Sequence, residues 1–174
     1  MAGEHLDALL DGSLDAAIVR PIARFRTLTF QPLLREQLVA VLPESHELAK
    51  DVEVDLADLA GERFVLMPKA AYPEAHDLYQ EACRDAGFLP TILDHGDSPN
   101  ALYMVAIGFG VALAPASVVA SRVPGTVVRP LKDRTPEIEL ALAYRGKNHS
   151  ETLAAFIRTA TDVSTVSSPA RQTA

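Results

Sequence analysis

Tryptophan is absent from the sequence and cysteine occurs once, at Cys83. A single thiol excludes an internal disulfide, and no second cysteine is present to resolve an oxidised one, so a packed side chain is expected. No run of five or more Lys or Arg occurs, and the net charge is −7 over 174 residues. With an isoelectric point near 5.2, the chain lacks the basic footprint of a nucleic-acid surface. The longest apolar runs are strand-length, which excludes a membrane-spanning helix. The opening Met1-Ala2-Gly3-Glu4-His5 lacks the charged and apolar regions of a secretory signal. A reduced compartment, the cytoplasm, is the expected location.

Familiar catalytic patterns are missing too. There is no phosphate-binding loop and no Gly-x-Ser-x-Gly nucleophile elbow. The five histidines, His5, His46, His76, His95 and His149, are far apart. His76-Asp77 and His95-Gly96-Asp97 come nearest to a metal-ligand spacing, and the expectation for them is surface or loop histidine. Carboxylates are plentiful, but none stands alone in an apolar setting that would raise its pKa. The expectation is therefore no enzyme, no cofactor and no metal.

The most informative stretch that is present runs from Ser98 to Ser117. Ser98 suits a helix cap and Pro99 its first turn. Leu102, Val105, Ala106 and Phe109 recur at i, i+3, i+4 and i+7, one apolar helix face. Gly108 and Gly110 end that helix, both by accepting a left-handed backbone. Val111 to Ala114, closed by Pro115, reads as a buried strand, and helix plus strand as half of a βαβ unit. A dinucleotide fingerprint is rejected because it would follow a strand and open a helix, and residue 113 is Leu where the third glycine belongs.

The rest of the chain continues the α/β alternation. Residues 4–11 form a short amphipathic helix stopped by Gly12, and Leu14 to Val19 a buried strand stopped by Arg20-Pro21. Asp15 at its start suits a turn or cap acceptor. Thr27 to Leu34 reads as an edge strand, Glu36 to Pro43 as a stronger one, and Arg63 to Met67 as a buried one. Glu74 to Ala86 is a helix with Ala75, Leu78, Tyr79 and Ala82 on one face and Gly87 as its stop. Thr91 to Leu93, Gly125 to Leu131 and Ile138 to Tyr144 are further strands, and Ala116 to Ser121 is a brief helix. Ser150 caps a last helix through about Val163.

One constellation has the position of a binding site. Arg20 directly follows the strand Leu14–Val19, and Pro68-Lys69-Ala70-Ala71 directly follows Arg63–Met67. Ligands of α/β sheets collect outside strand C-termini. An arginine there presents a donor fork matched to a carboxylate. A solvated loop arginine, one of the series Arg20, Arg24 and Arg26, is the alternative.

Several motifs carry a resemblance to a known family. Val105-Ala106-Ile107-Gly108-Phe109-Gly110-Val111-Ala112-Leu113-Ala114-Pro115, and Leu9, Gly12, Leu14, Asp15, Ala17 and Ile18, resemble signatures of the effector-binding domain of LysR-type transcriptional regulators. The stretches Glu44 to Ala49 and Val54 to Glu62 match two further elements. The resemblance covers about residues 6–163 and is nearest to regulators of aromatic catabolism. It implies an α/β fold of two Rossmann-like lobes, of the periplasmic-binding-protein type II kind, with the first lobe incomplete. Residues 1–42 and 134–163 would form the partial first lobe, 43–133 the second, and 164–174 a disordered tail. It implies a small anionic effector in the cleft between lobes, with Arg20 as its contact and Pro68, Lys69 and Ala70 on the opposite wall. Ser98 completes the candidate effector-binding set.

The family's winged helix-turn-helix and linker helix have no counterpart here, so DNA would be contacted only through a missing N-terminal domain. The expectation is a truncated chain from a regulator that is a homo-oligomer at full length. A solute-binding protein for transport is the second hypothesis, and an enzyme on the same scaffold the third.

Overall fold

The computed structural model describes residues 2–21, 25–66, 69, 73–93, 101–132, 136–146 and 150–167. In chain order its elements are α1 (Ala2–Asp11), β1 (Ala16–Val19), β2 (Leu28–Glu36), β3 (Leu38–Pro43), β4 (Arg63–Val65) and α2 (Pro73–Asp85). Then come β5 (Thr91–Leu93), α3 (Ala101–Ala106), β6 (Ala112–Pro115), β7 (Thr126–Pro130), β8 (Ile138–Arg145) and α4 (Glu151–Ser167). The chain divides into two compact units, Met1–Arg35 with Ile138–Ala174, and Glu36–Glu137. This division falls before β3, not after it as the sequence suggested, because β3 pairs only with strands of the second unit.

In the first unit the sheet order is β1-β8-β2, with β1 antiparallel to β8 from Ala16↔Tyr144 to Val19↔Ala141. Leu6 and Leu9 of α1 pack with Val19, Phe25, Leu28 and Ala143. Gly12, at φ 87°, lets the chain reverse out of α1. Arg145 holds that reversal in place: its guanidinium donates to the carbonyls of Leu9 and Leu14 and lies 3.3 Å from Asp15. Asp15 is thus a structural acceptor. The strand expected to be buried over Leu14–Val19 is shorter and half open, with Val19 buried and Ile18 54% exposed. Successive side chains of a strand point to opposite faces, and only one face of β1 is well covered, so Ile18 meets solvent while Val19 is buried. Ser150 caps α4 through its hydroxyl, which accepts from the Leu153 N–H. The helix continues to Ser167, past the expected end near Val163, and residues 168–174 of the expected tail lie outside the described residues.

In the second unit β3 is the central strand of β6-β3-β7, antiparallel to both neighbours and buried at all six positions. β4 and β5 are parallel and joined through α2, a βαβ crossover. A seam connects these strands to β6. Val111 forms a parallel bridge with Phe64, with the Val65 N–H donating to the Val111 carbonyl and the Val111 N–H to the Arg63 carbonyl, both at 2.8 Å. Gly110 is required by this seam, since a Cβ there would lie 2.1 Å from the Arg63 oxygen.

Gly108 alone of the pair is left-handed, at φ 82°. It ends α3 in a Schellman motif, with its N–H donating to the Val105 carbonyl and the Phe109 N–H to that of Met104. The motif swings Phe109 outward to 47% exposure, so it does not extend the α3 face as its spacing suggested. Val105 remains fully buried against Val41, Val65, Ala112 and Ala114. Gly87 ends α2 with the same two-bond pattern, and Phe88 packs on Phe64 at 5.8 Å between ring centres. Cys83 is buried, and desolvation pushes its pKa up to about 11.

Candidate functional site

Arg20 stands directly after β1, in the first unit, and is half-buried. Its guanidinium forms no hydrogen bond or ion pair with the described residues. Of the two arginines read beside it, Arg26 is exposed and Arg24 lies outside the described residues. Lys69 belongs to the second unit, in the segment between β4 and α2. It is exposed and donates to Asp77 Oδ1 at 2.8 Å. That bond holds the Asp77 carboxyl below the usual carboxylate range. The Lys69 charge is therefore already engaged by a surface partner. Pro68, Ala70 and Ser98 lie outside the described residues.

His76 differs from the surface or loop reading, whereas His46, which stands in a bend, fits it. His46 caps the 3-10 turn Glu47–Lys50, with its Nδ1 accepting from the Leu48 N–H at 3.1 Å. An accepting Nδ1 puts the neutral ring's proton on Nε2, which faces Glu62 Oε1 at 3.4 Å. His76 lies in the first turns of α2 and is 8% exposed. It shares the buried face of the helix with Ala75, Tyr79, Ala82 and Cys83. Its Nδ1 is buried with no hydrogen-bond partner among the described residues, and Asp77 Oδ1 is 3.7 Å away. The spacing of His76, Tyr79 and Cys83 is the signal that would have found it: i, i+3, i+7, the same helical stripe.

Among the described residues of the second unit, two cavities are lined by neither Arg20 nor Lys69. One, of about 390 Å³, is walled by Val41, Leu102, Val118 and Val128, with Arg122 and Arg129 among its lining. Arg129 donates through Nη2 to the Ala49 carbonyl at 2.6 Å, which ties β7 to the turn at Glu47–Lys50. The other, of about 690 Å³, borders His46, Asp58, Glu62 and Gly110. Among the described residues no group of three His, Cys, Asp or Glu side chains is placed to hold a metal ion. No helix of the described residues is long and apolar enough to cross a membrane.

Residues 1–165 match the family described as the LysR substrate binding domain. The chain is 31% identical over 126 residues to the transcriptional dual regulator GltC of Bacillus subtilis, covering 71% of this chain and 41% of that protein. It is 34% identical over 133 residues to the HTH-type transcriptional regulator XapR of Escherichia coli, covering 75% and 44% respectively. It thus spans less than half the length of these two relatives. Among solved structures it is similar to the BenM effector binding domain with its effector benzoate. The TM-score is 0.83 at 26% identity, with 94% of this chain and 75% of that one covered.

Proposed function

The chain belongs to the LysR substrate-binding-domain family, and from that premise we propose that it senses a small anionic effector, a carboxylate or aromatic acid, to control transcription. The observation that carries the effector class is Arg20, a half-buried residue at a strand C-terminus whose side chain has no partner among the described residues. An arginine at a strand C-terminus has its donors available to a ligand that collects there. A carboxylate matches its donor fork. The benzoate held by the related BenM domain supports an acid of that kind.

In this reading Arg20 is the main contact and Lys69 a secondary one, because Asp77 competes for its charge. Pro68, Ala70 and Ser98 join the set on their motif positions. The two units are the two lobes of the domain. Binding, not bond-making, is the activity, which the regulators among its relatives favour over both catalysis and solute transport. DNA contact and homo-oligomer assembly belong to the full-length regulator, in the cytoplasm.

Calorimetric titration with benzoate and with cis,cis-muconate tests the proposal. A charge-assisted hydrogen bond contributes about 1.5–3 kcal/mol, so Arg20→Ala weakens binding roughly tenfold to a hundredfold. Arg20→Lys keeps the charge but loses the fork and recovers only part. Arg26→Ala, at an exposed position, is the control. Equal acid affinity in all three variants and the parent protein would remove Arg20 from the site.

A further inference from the structure

We propose that the apolar cavity beside β7 in the second unit is a ligand site of its own, which takes a small carboxylic acid with a ring-sized apolar body. It lies wholly within the Glu36–Glu137 unit and does not depend on Arg20.

The walls come from the core of that unit. β7 is an outer strand of the sheet β6-β3-β7, and its Val128 pairs with Val41 of β3. Both valines belong to the apolar cluster around the buried Val105 of α3. Leu102 of α3 and Val118 of the 3-10 turn Ala116–Ser121 pack against the same cluster. These four side chains line a cavity of about 390 Å³. Small-ligand pockets span about 300–1,000 Å³ and are mostly apolar, with a few polar groups that orient the ligand.

Charge narrows what would enter. The chain carries 23 acidic against 16 basic residues, yet the described lining includes Arg122 and Arg129 and no Asp or Glu. Arg129 is held by two neutral acceptors: its Nη2 donates to the Ala49 carbonyl at 2.6 Å and its Nη1 to the Val128 carbonyl at 3.1 Å. Carbonyls position a guanidinium without cancelling its charge. Arg122 is exposed and takes a left-handed backbone, φ 43°, at the end of the turn Ala116–Ser121. It is the one described non-glycine residue with a positive φ. Glycine would hold that conformation without strain, and strain of this kind gathers at ligand clamps. Apolar walls with two arginines among them fit an apolar body that ends in a carboxylate. A neutral ring would leave the charge unanswered, and an acid without a body would leave the walls wet.

Methyl ¹H–¹³C spectra of the full 174-residue chain test this, with benzoate, benzamide and acetate as probes. Benzoate shifts the methyl signals of Leu102, Val118 and Val128 saturably, and the other two bind there at least about tenfold more weakly. Arg20→Ala leaves that response and its midpoint unchanged, which separates this cavity from the acid contact proposed above. Arg122→Gly removes the strained backbone together with the charge. Its unfolding midpoint is therefore no lower than the parent's, while its benzoate affinity at these methyls falls about tenfold. Arg122→Lys keeps the charge without the fork and recovers part of the loss.

A methyl response that benzamide reproduces equally, that Arg20→Ala abolishes or that Arg122→Gly leaves unchanged overturns the inference. So does the absence of any response to benzoate at these methyls, and in each case the Arg20 reading is judged by its own titration.

Discussion

Replacing Gly110 with alanine puts a methyl group where the seam of the second unit leaves no room. The added Cβ would lie 2.1 Å from the Arg63 oxygen and 3.0 Å from its carbonyl carbon. Backbone, not a flexible side-chain tip, has to move. Relief comes from parting β4 from Val111, which breaks two hydrogen bonds of 2.8 Å. Each contributes about 0.5–1.5 kcal/mol, and loosened packing around the fully buried Phe64 adds to this, for a loss of about 2–4 kcal/mol. Gly108→Ala is the instructive comparison. It meets nothing within 4 Å but sits at φ 82°, so it costs only the left-handed backbone, about 1–2 kcal/mol. Gly61→Ala, with open space and no positive φ, is the neutral control. In urea, with a slope of about 1–3 kcal/mol per molar, the midpoint falls by about 1–2 M for Gly110→Ala and by less than about 1 M for Gly108→Ala. A Gly110→Ala midpoint no lower than that of Gly108→Ala would refute the close-approach argument.

Two further predictions concern single side chains. Arg145→Ala removes the donor to two carbonyls and the partner of Asp15, costing about 1.5–3 kcal/mol; Arg145→Lys recovers little, and hydrogen exchange of α1 reports both. Cys83 resists thiol reagents at pH 8 until the protein unfolds. Because its folded pKa of about 11 lies above the ordinary 9.0, the unfolded thiol ionises first. Stability is therefore intact below pH 9 and falls between pH 9 and 11, and Cys83→Ala removes that slope from a denaturation series.

Elements whose identity depends on local pattern were readable from the sequence. β3 is a run of apolar residues ended by proline, and it is the most buried strand of the second unit. α2 has its stripe and its glycine stop, and Gly87 takes the left-handed turn expected of it. What could not be read depends on partners distant in sequence. The need for glycine at 110 comes from Arg63, which no pattern within the segment encodes. The exposure of Ile18 depends on whether β1 has a covered second face, which apolar composition does not reveal. For the site, the placement of Arg20 after a strand was legible. The Asp77 partner of Lys69 was not, and the burial of His76 was hidden because the apolar stripe was read without it.

The first unit is assembled from both ends of the chain, and this sets an order of events during synthesis. Arg145 and the Leu14 carbonyl it binds are 131 positions apart. At about 5–20 residues per second, the partners of β1 emerge roughly 7–26 seconds after β1 itself. The contiguous Glu36–Glu137 unit leaves the ribosome complete in that interval. Meanwhile β1, Leu6 and Leu9 wait without the strand that will shelter them, long on the microsecond scale of hydrophobic collapse. A ribosome-bound chain arrested once Glu137 has cleared the exit tunnel would thus carry one protected unit and one sticky, unpaired strand, a natural docking point for a chaperone.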